Sequence, residues 1–463
     1  MAMSYEEMDD MEGKFIPESC RYLVDSMSAY SRNRFKLQTV SAETASAGRI
    51  VVVNLPEQAI VDLQSFRLHM DAKTTQATVG GATVFGKLPN DAAATLIQRV
   101  EVNMNGIALN QGHPEWNTVY QMKKLAEGSV GRASTVDRLA SGYEINSNQA
   151  VDDESLVLQD WTGLIGESST RFLDLSLFGA AQIRITLAPN SVLVPLESGS
   201  TLGADLSSPD GVNAAKQISY SVDNIFFTID SVSLNPIYSK MLRDRLENDD
   251  FLPLNFKECY TFSLDSINTG SSTTRFSVSS GSIDNFAATY RDSSYQQVGV
   301  KAKSLGASAG IGMGAFLSNY LRFRNYDSSV DKAGTFRYNW TLNNVQYPQY
   351  AADKMDAICD INYCPDKVGM GADGTLVATK SSFQDGKFIL HQKLNHPTRW
   401  GVGCRSGADS RGINTMCTLA VQGQDLPVAP LPQGETGVLS AFVVVSTTAQ
   451  ARVAVGKSIA VLF

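Results

Sequence analysis

The chain has 463 residues, 43% of them hydrophobic and 19% charged, with a formal net charge of −8. That length is enough for roughly two to four domains with sizeable cores. The negative balance, without a Lys/Arg-rich arm at either end, argues against wholesale nucleic-acid binding, which needs clustered cations to neutralise phosphates. No apolar run is long enough to predict a transmembrane helix. The opening "MAMSYEEMDDMEGKF" is acidic and lacks an apolar core, so no secretory signal is expected.

Residues 1–31 read as an arm outside the main fold: Glu6, Glu7, Asp9, Asp10 and Glu12 precede the first basic residue, Lys14, and "ESCRYLVDSMSAY" is weakly helical. From Arg34 the pattern is that of strands. "RFKLQTV" alternates Phe35, Leu37 and Thr39, which predicts a half-buried strand. "RIVVVNLPEQAIVDLQSFRLHMDA" holds two strands around a turn at Asn54-Leu55-Pro56, with Phe66, Leu68 and Met70 alternating against Arg67 and His69. Further strands are expected at "RFLDLSLF", "AQIRITLA" and "NIFFTIDSVSL", separated by long loops rich in Gly, Ser, Asn and Asp. "NPIYSKMLRDRLENDD" predicts a helix, with Asn235 as cap, Pro236 at the first position and an apolar stripe of Ile237, Met241 and Leu242. After it the strand pattern restarts at "FKECYTFSLDSI", continues through "TRFSVSSGSIDNFAATYRD", and ends in "LSAFVVVSTTAQARVAVGKSIAVLF".

The two halves repeat one pattern. "VEVNMNGIALNQGHPEWNTVYQMKKL" and "FRYNWTLNNVQYPQYAADKMDAIC" each give a strand, a tight dipeptide (Asn105-Gly106; Asn343-Asn344), a short strand, a proline and a helix-like stripe. Both halves also carry an apolar-Asp dipeptide early on, Val61-Asp62 and Ile283-Asp284. The fold class expected is therefore all-β: two tandem eight-stranded antiparallel jelly rolls with short helices in the loops. The division is an arm over 1–31, a first roll with its linking helix over 32–248, and a second roll over 249–463.

In this order and duplication the sequence resembles the double jelly-roll major capsid proteins of DNA viruses, the lineage of adenovirus hexon and of virophage and polinton-like virus capsids. The segments that carry the resemblance are "NLPEQAIVDLQSFRLHM", the Asn-Gly hairpin with its helix, "RFSVSSGSIDNFAATYRD" and "RVAVGKSIAVLF". It implies a major capsid protein that forms homotrimers with six similar wedges, which tile an icosahedral shell. It also implies localisation in the virion after synthesis and assembly inside the host cell. The partners implied are other copies of the chain, penton and minor capsid proteins, an internal membrane or the genome indirectly, and a host receptor. Long loops are expected at the outward end and the acidic arm low, near the inner face or a neighbouring trimer. Two other readings fit a jelly roll: a carbohydrate-binding or carbohydrate-active β-sandwich, and a minor capsid or spike protein.

No catalytic, cofactor-binding or metal residue is expected. The four histidines, His69, His113, His391 and His396, do not form a ligand set with carboxylates. Cys20, Cys259, Cys359, Cys364, Cys404 and Cys417 show no zinc spacing and are expected to be reduced thiols of a protein made inside a cell. The sequon at Asn339-Trp340-Thr341 then has no consequence. "SLGASAGIGMGAF" matches G-x-G-x-x-A at Gly310, Gly312 and Ala315, and G-x-S-x-G at Ser308, but an all-β context offers neither a βαβ unit nor a nucleophile elbow. It is read as a surface loop. "VGKS" at 455–458 lacks the upstream glycine of a phosphate loop. The pairs Asp152-Asp153 and Asp249-Asp250 are read as solvated loop carboxylates. Trp116 and Trp340 fall in the repeated unit and are expected to pack.

Overall fold

The structure is a computed structural model. It describes residues 31–463 except 42, 90, 111–113, 128–150, 200–205, 207, 235, 250, 268–269, 297–302, 306–314, 318, 322, 325–335, 363–384, 387, 396–404, 413–414, 425–437 and 455. The acidic arm, Asn235, His113, His396, Cys20, Cys364, Cys404, Ser308 and Trp400 lie outside the described residues.

The first half supplies strands β1 (Ser31–Gln38), β2 (Ile50–Asn54), β3 (Ile60–Thr74), β4 (Ile97–Met104), β5 (Ile107–Asn110), β6 (Phe172–Asp174), β7 (Ala181–Leu187) and β8 (Tyr220–Ser233). The second supplies β9 (Phe251–Ile267), β10 (Gly270–Ser277), β11 (Ile283–Asp292), β12 (Arg337–Leu342), β13 (Val345–Ala352), β14 (Leu390–Lys393), β15 (Met416–Gln424) and β16 (Leu439–Ala454). Helix α1 (Trp116–Glu127) follows β5, α2 (Pro236–Asp249) links the halves, and α3 (Lys354–Asn362) follows β13.

Each half folds into two antiparallel sheets with the same strand order. In the first half they run β1-β8-β3-β6 and β2-β7-β4-β5. In the second they run β9-β16-β11-β14 and β10-β15-β12-β13. Two four-stranded sheets threaded in this order make a jelly roll, and the chain builds it twice. Short strands outside the repeat extend it, including Asp153–Leu158 beside β3 and Ile459–Leu462 beside β16.

Period-two alternation builds the core, because successive side chains of a strand point to opposite faces. Phe66, Leu68 and Met70 of β3, Val100, Val102 and Met104 of β4, and Ile183, Ile185 and Leu187 of β7 are all buried. Asn105 and Gly106 both have positive φ (49° and 80°), as do Asn343 and Asn344 (51° and 65°). Two consecutive left-handed residues give the hairpin turn that matches strand twist, which explains the repeated polar dipeptides.

Because consecutive strands reverse, the connections sort to two ends. At one end they are 55–59, 105–106 and 175–180 in the first roll and 278–282, 343–344 and 394–415 in the second. The other end carries 75–96, 111–171 and 188–219, then 293–336, 353–389 and 425–438. The first set is mostly short and the second mostly long, so each roll has a short-loop end and a long-loop end.

Three expectations differ from the structure. Strand β1 forms, but seven of its eight residues are exposed, and Phe35 is 44% exposed. It is an edge strand with an open side, so alternation there does not mean burial. Helix α2 forms, yet Ile237 and Met241 are exposed and only Leu246 is buried among its described side chains. Ile237 and Met241 stay at the surface because α2 bridges the rolls along it, and Leu242 is only half-buried. Asp152 is buried rather than solvated: Lys87 Nζ donates to it at 2.9 Å and the Leu88 N–H at 2.7 Å. A buried carboxylate is tolerated because both its charge and its lone pairs are matched.

Candidate functional site at the seam between the rolls

The two rolls stand side by side with like ends together, and the seam is fastened along its height. At the short-loop end the Asn105 side chain, in the β4–β5 turn, donates to the backbone oxygen of Lys457 at 3.0 Å and to that of Phe178 at 2.7 Å. Gly179 has φ +91°, and a Cβ there would fall 2.2 Å from Asn105 Oδ1, so this position needs glycine.

Midway, residues 167–169 of the first roll add to the free edge of β9. The Ser169 N–H donates to Asn255 O at 2.7 Å and the Lys257 N–H to Glu167 O at 3.0 Å. The Glu167 side chain accepts from Lys123 Nζ at 2.8 Å and from the Gly163 N–H at 2.9 Å. Burial alone would push this carboxyl up, but Lys123, the Gly163 N–H and Lys257 together hold it below the usual carboxylate range. A depressed folded value gives stability that is complete above the unfolded value of about 4.3 and is lost as pH falls through the folded one. Glu167→Gln should therefore flatten the acid limb of a stability–pH curve below about pH 4.3, read from urea midpoints at successive pH values. An acid limb unchanged by the substitution would remove Glu167 from the seam's electrostatics.

At the long-loop end α1 crosses from the first roll onto the second. Val119 and Met122 join the apolar cluster that holds Cys259, Phe442 and Val444 of the second roll. Arg291, at the end of β11, is fully buried and donates to Glu115 Oε2 at 2.6 Å. Thr118 Oγ1 donates to the same oxygen at 3.1 Å. The guanidinium lies over Tyr295 at 3.8 Å, Phe442 at 4.7 Å and Tyr320 at 5.5 Å. Burial would lower its pKa, but Glu115 holds it above the ordinary value, so it stays charged.

The seam also explains a contrast between the closing strands. In β16 the first eleven residues are all buried, because one face meets the second core and the other faces the seam, where Val119 and Met122 of α1 share its apolar cluster. A strand covered on both faces reads as a continuous apolar run. Its counterpart β8 alternates buried and partly exposed positions over most of its length, since no described residue covers its outer face in that way.

A second repeated feature lies at the start of β3 and β11. Asp62 and Asp284 are both buried and both paired with a cation from the first strand of their own roll. Arg32 reaches Asp62 at 3.1 Å, and Lys257 reaches Asp284 at 2.8 Å. Arg171 adds a second partner to Asp62 at 2.9 Å.

The sequence motifs weighed for chemistry are not drawn into a site. His69 Nε2 lies 3.2 Å from Thr228 Oγ1 and its ring stacks on Phe226, while His391 is buried on β14. The flanks of the glycine-rich stretch, Lys303–Leu305 and Ala315–Leu317, pair as antiparallel strands, so no helix follows the glycines as a phosphate loop or nucleophile elbow requires. "VGKS" falls in the turn between β16 and Ile459–Leu462. Cys259, Cys359 and Cys417 are free thiols. Among the described residues no group of His, Cys, Asp and Glu could hold a metal ion, and no helix is long and apolar enough to cross a membrane. Trp116, Trp340 and Trp161 are buried, so none of them lines a sugar-binding groove.

No family model matches the chain, and no curated protein matches it. Solved structures do. The PBCV-1 virus capsid aligns with a TM-score of 0.56 at 12% identity, over 96% of this chain and 99% of that one. The Faustovirus major capsid protein aligns at 0.56 and 9% identity, over 96% and 94%. A chain of the Sputnik virophage aligns at 0.53 and 11% identity, over 100% and 92%. At such identities the likeness is one of fold, and it covers the two rolls together: the chain is a double jelly roll.

Proposed function

We infer that the chain is a major capsid protein that self-associates into trimers of six similar wedges and tiles an icosahedral shell in the virion. The observation that carries this reading is the pair of rolls, identical in strand order, side by side with like ends together and fixed as one block. Two such wedges in each chain and three chains around an axis give a pseudo-hexagonal unit able to meet six neighbours. The full-length likeness to the PBCV-1 virus capsid and the Faustovirus major capsid protein supports the same reading. The chain divides into an arm over 1–31, a first roll with its linking helix over 32–248, and a second roll over 249–463. The role is structural rather than catalytic. The long-loop end faces outward, towards a receptor, and penton and minor capsid proteins complete the shell.

The test is the mass of the purified protein by light scattering, with negative-stain images of the same sample. A species near three times 50.1 kDa with a hexagonal outline is expected. A monomer that binds glycans would replace this reading with that of a carbohydrate-binding β-sandwich.

A further inference from the structure

We propose that the seam inside the chain is repeated between chains: α3 of one copy docks on the outer face of the β1-β8-β3 sheet in the first roll of a second copy. The proposal deepens the capsid reading and rests on it, since it states which surfaces close the ring.

The two rolls can be superposed residue by residue along this sheet. Arg32 lies opposite Val232 on β8, and Lys257 lies opposite Thr448 on β16. Counting six residues back along each closing strand gives Phe226 and Phe442. In the second roll the outer face around Phe442 is covered by α1, with Arg291 on the Phe442 ring and Val119 and Met122 in the same cluster. In the first roll no described residue covers the equivalent face as α1 does. Phe226 is half-buried, Lys36 Nζ lies 4.0 Å over its ring, and His69 stacks on its other neighbour position at 4.5 Å. The free edge of β9 receives residues 167–169, whereas β1 is exposed along nearly all its length. The surface that α1 covers in one roll thus has a twin in the other that no described residue covers.

The occupant is equally well defined. Helices α1 and α3 start ten residues after the second turn residue of their hairpins, Gly106 and Asn344. The seam-facing positions of the first unit, Glu115, Thr118, Val119 and Met122, therefore correspond to Asp353, Asp356, Ala357 and Asp360, of which Ala357 is buried in its own roll. The three aspartates share one helical face at spacings of three and four. Asp353 plays a local role as well, capping α3 by accepting from the Met355 N–H at 2.8 Å and the Asp356 N–H at 3.0 Å. Where the built-in seam sets Met122 among apolar groups, the second unit offers Asp360, and the open sheet face offers Lys36, Arg67 and Arg34. Arg34 is already paired with Asp230 at 2.7 Å, which leaves Lys36 and Arg67, with no carboxylate partner among the described residues, as the cations to be met. Further up the face Lys73 lies between Asp153 and Asp223, so the match is confined to the middle of the sheet.

On both faces burial pushes a titratable group towards its neutral form, and neighbouring like charges add to it. Burial, Arg67, Arg34 and Lys36 all lower the His69 pKa. Burial lifts the Asp360 carboxyl to about 6, with the Tyr338 hydroxyl pulling it down and Asp356 pushing it up. Bringing the two faces together relieves each with the other's charge.

The experiment is a charge swap read by light scattering at fixed protein concentration. Lys36→Glu with Arg67→Glu, and separately Asp356→Lys with Asp360→Lys, should each raise the concentration of half-assembly at least about tenfold at physiological salt. Combining all four substitutions in one chain should recover assembly, because the complementarity is restored with opposite sign, and a chain that had merely misfolded would not recover. A wild-type trimer that tolerates both reversals overturns this placement and leaves the capsid reading standing. Reversals that weaken assembly without recovery in the combined variant also overturn it. A wild-type chain that stays monomeric at every concentration overturns both.

Discussion

Arg291→Ala is expected to destabilise the protein by about 3–5 kcal/mol, the cost of removing one partner from a buried ion pair. Arg291 is fully buried between Tyr295, Tyr320 and Phe442, and its Nη1 is 2.6 Å from Glu115 Oε2. Truncation leaves the Glu115 carboxylate with only Thr118 as a donor among the described partners, against three aromatic rings. It also removes a planar cation from two ring faces within 4.7 Å, each worth about 0.5–2 kcal/mol. Two guanidinium nitrogens, Nε and Nη2, have no hydrogen-bond partner among the described residues, so the wild-type pair itself carries an unrecovered desolvation cost. Arg291→Met with Glu115→Gln should therefore regain most of the loss, since an apolar stem and a neutral amide suit the site. Urea midpoints of the three proteins at one concentration decide the matter. A cost below about 1 kcal/mol for the single substitution would mean that the pair is wet and that the seam does not depend on it.

The fold was legible because its signals are local. Alternation at Phe66, Leu68 and Met70 reports a covered face without knowledge of the partner strand, and two left-handed residues at Asn343 and Asn344 announce a hairpin in a run of four residues. The order of such signals, repeated, gave the two rolls. The seam was not legible because its partners are far apart in the chain: Arg291 and Glu115 are 176 residues apart, and Asn105 and the Lys457 carbonyl 352. Nothing near "TYRD" marks that arginine as buried. One signal was available: the unbroken apolar run of β16, against the alternation of β8, says that the second closing strand is covered on both faces. Helix α2 shows the converse, since Ile237 and Met241 of its stripe stay exposed. Periodicity predicts a face; only tertiary placement decides whether anything lies against it.

Trp116→Ala and Trp340→Ala are each expected to cost about 3–5 kcal/mol, as deletions of fully buried indoles leave cavities that the surrounding core fills only in part. Their effects should differ in reach. Trp340 stacks on Phe286 at 5.2 Å and meets Phe276 edge-on at 6.4 Å, all within the second roll. Trp116 stacks on Tyr120 at 5.1 Å and meets Trp161 at 5.8 Å in the first roll, yet it opens the helix whose Val119 and Met122 enter the second core. Amide hydrogen exchange should thus rise in β12 and β15 for Trp340→Ala, and in both β3 and β16 for Trp116→Ala. Neither indole N–H has a hydrogen-bond partner among the described residues, so the phenylalanine variants, which keep a ring and drop the N–H, should fall well short of the alanine cost. If exchange in β16 stayed at the wild-type level in Trp116→Ala, helix α1 would be lying against the second roll without supporting it. The seam would then rest on the Asn105 contact and on residues 167–169 against β9, whereas the pseudo-hexagonal block proposed above requires the coupled outcome.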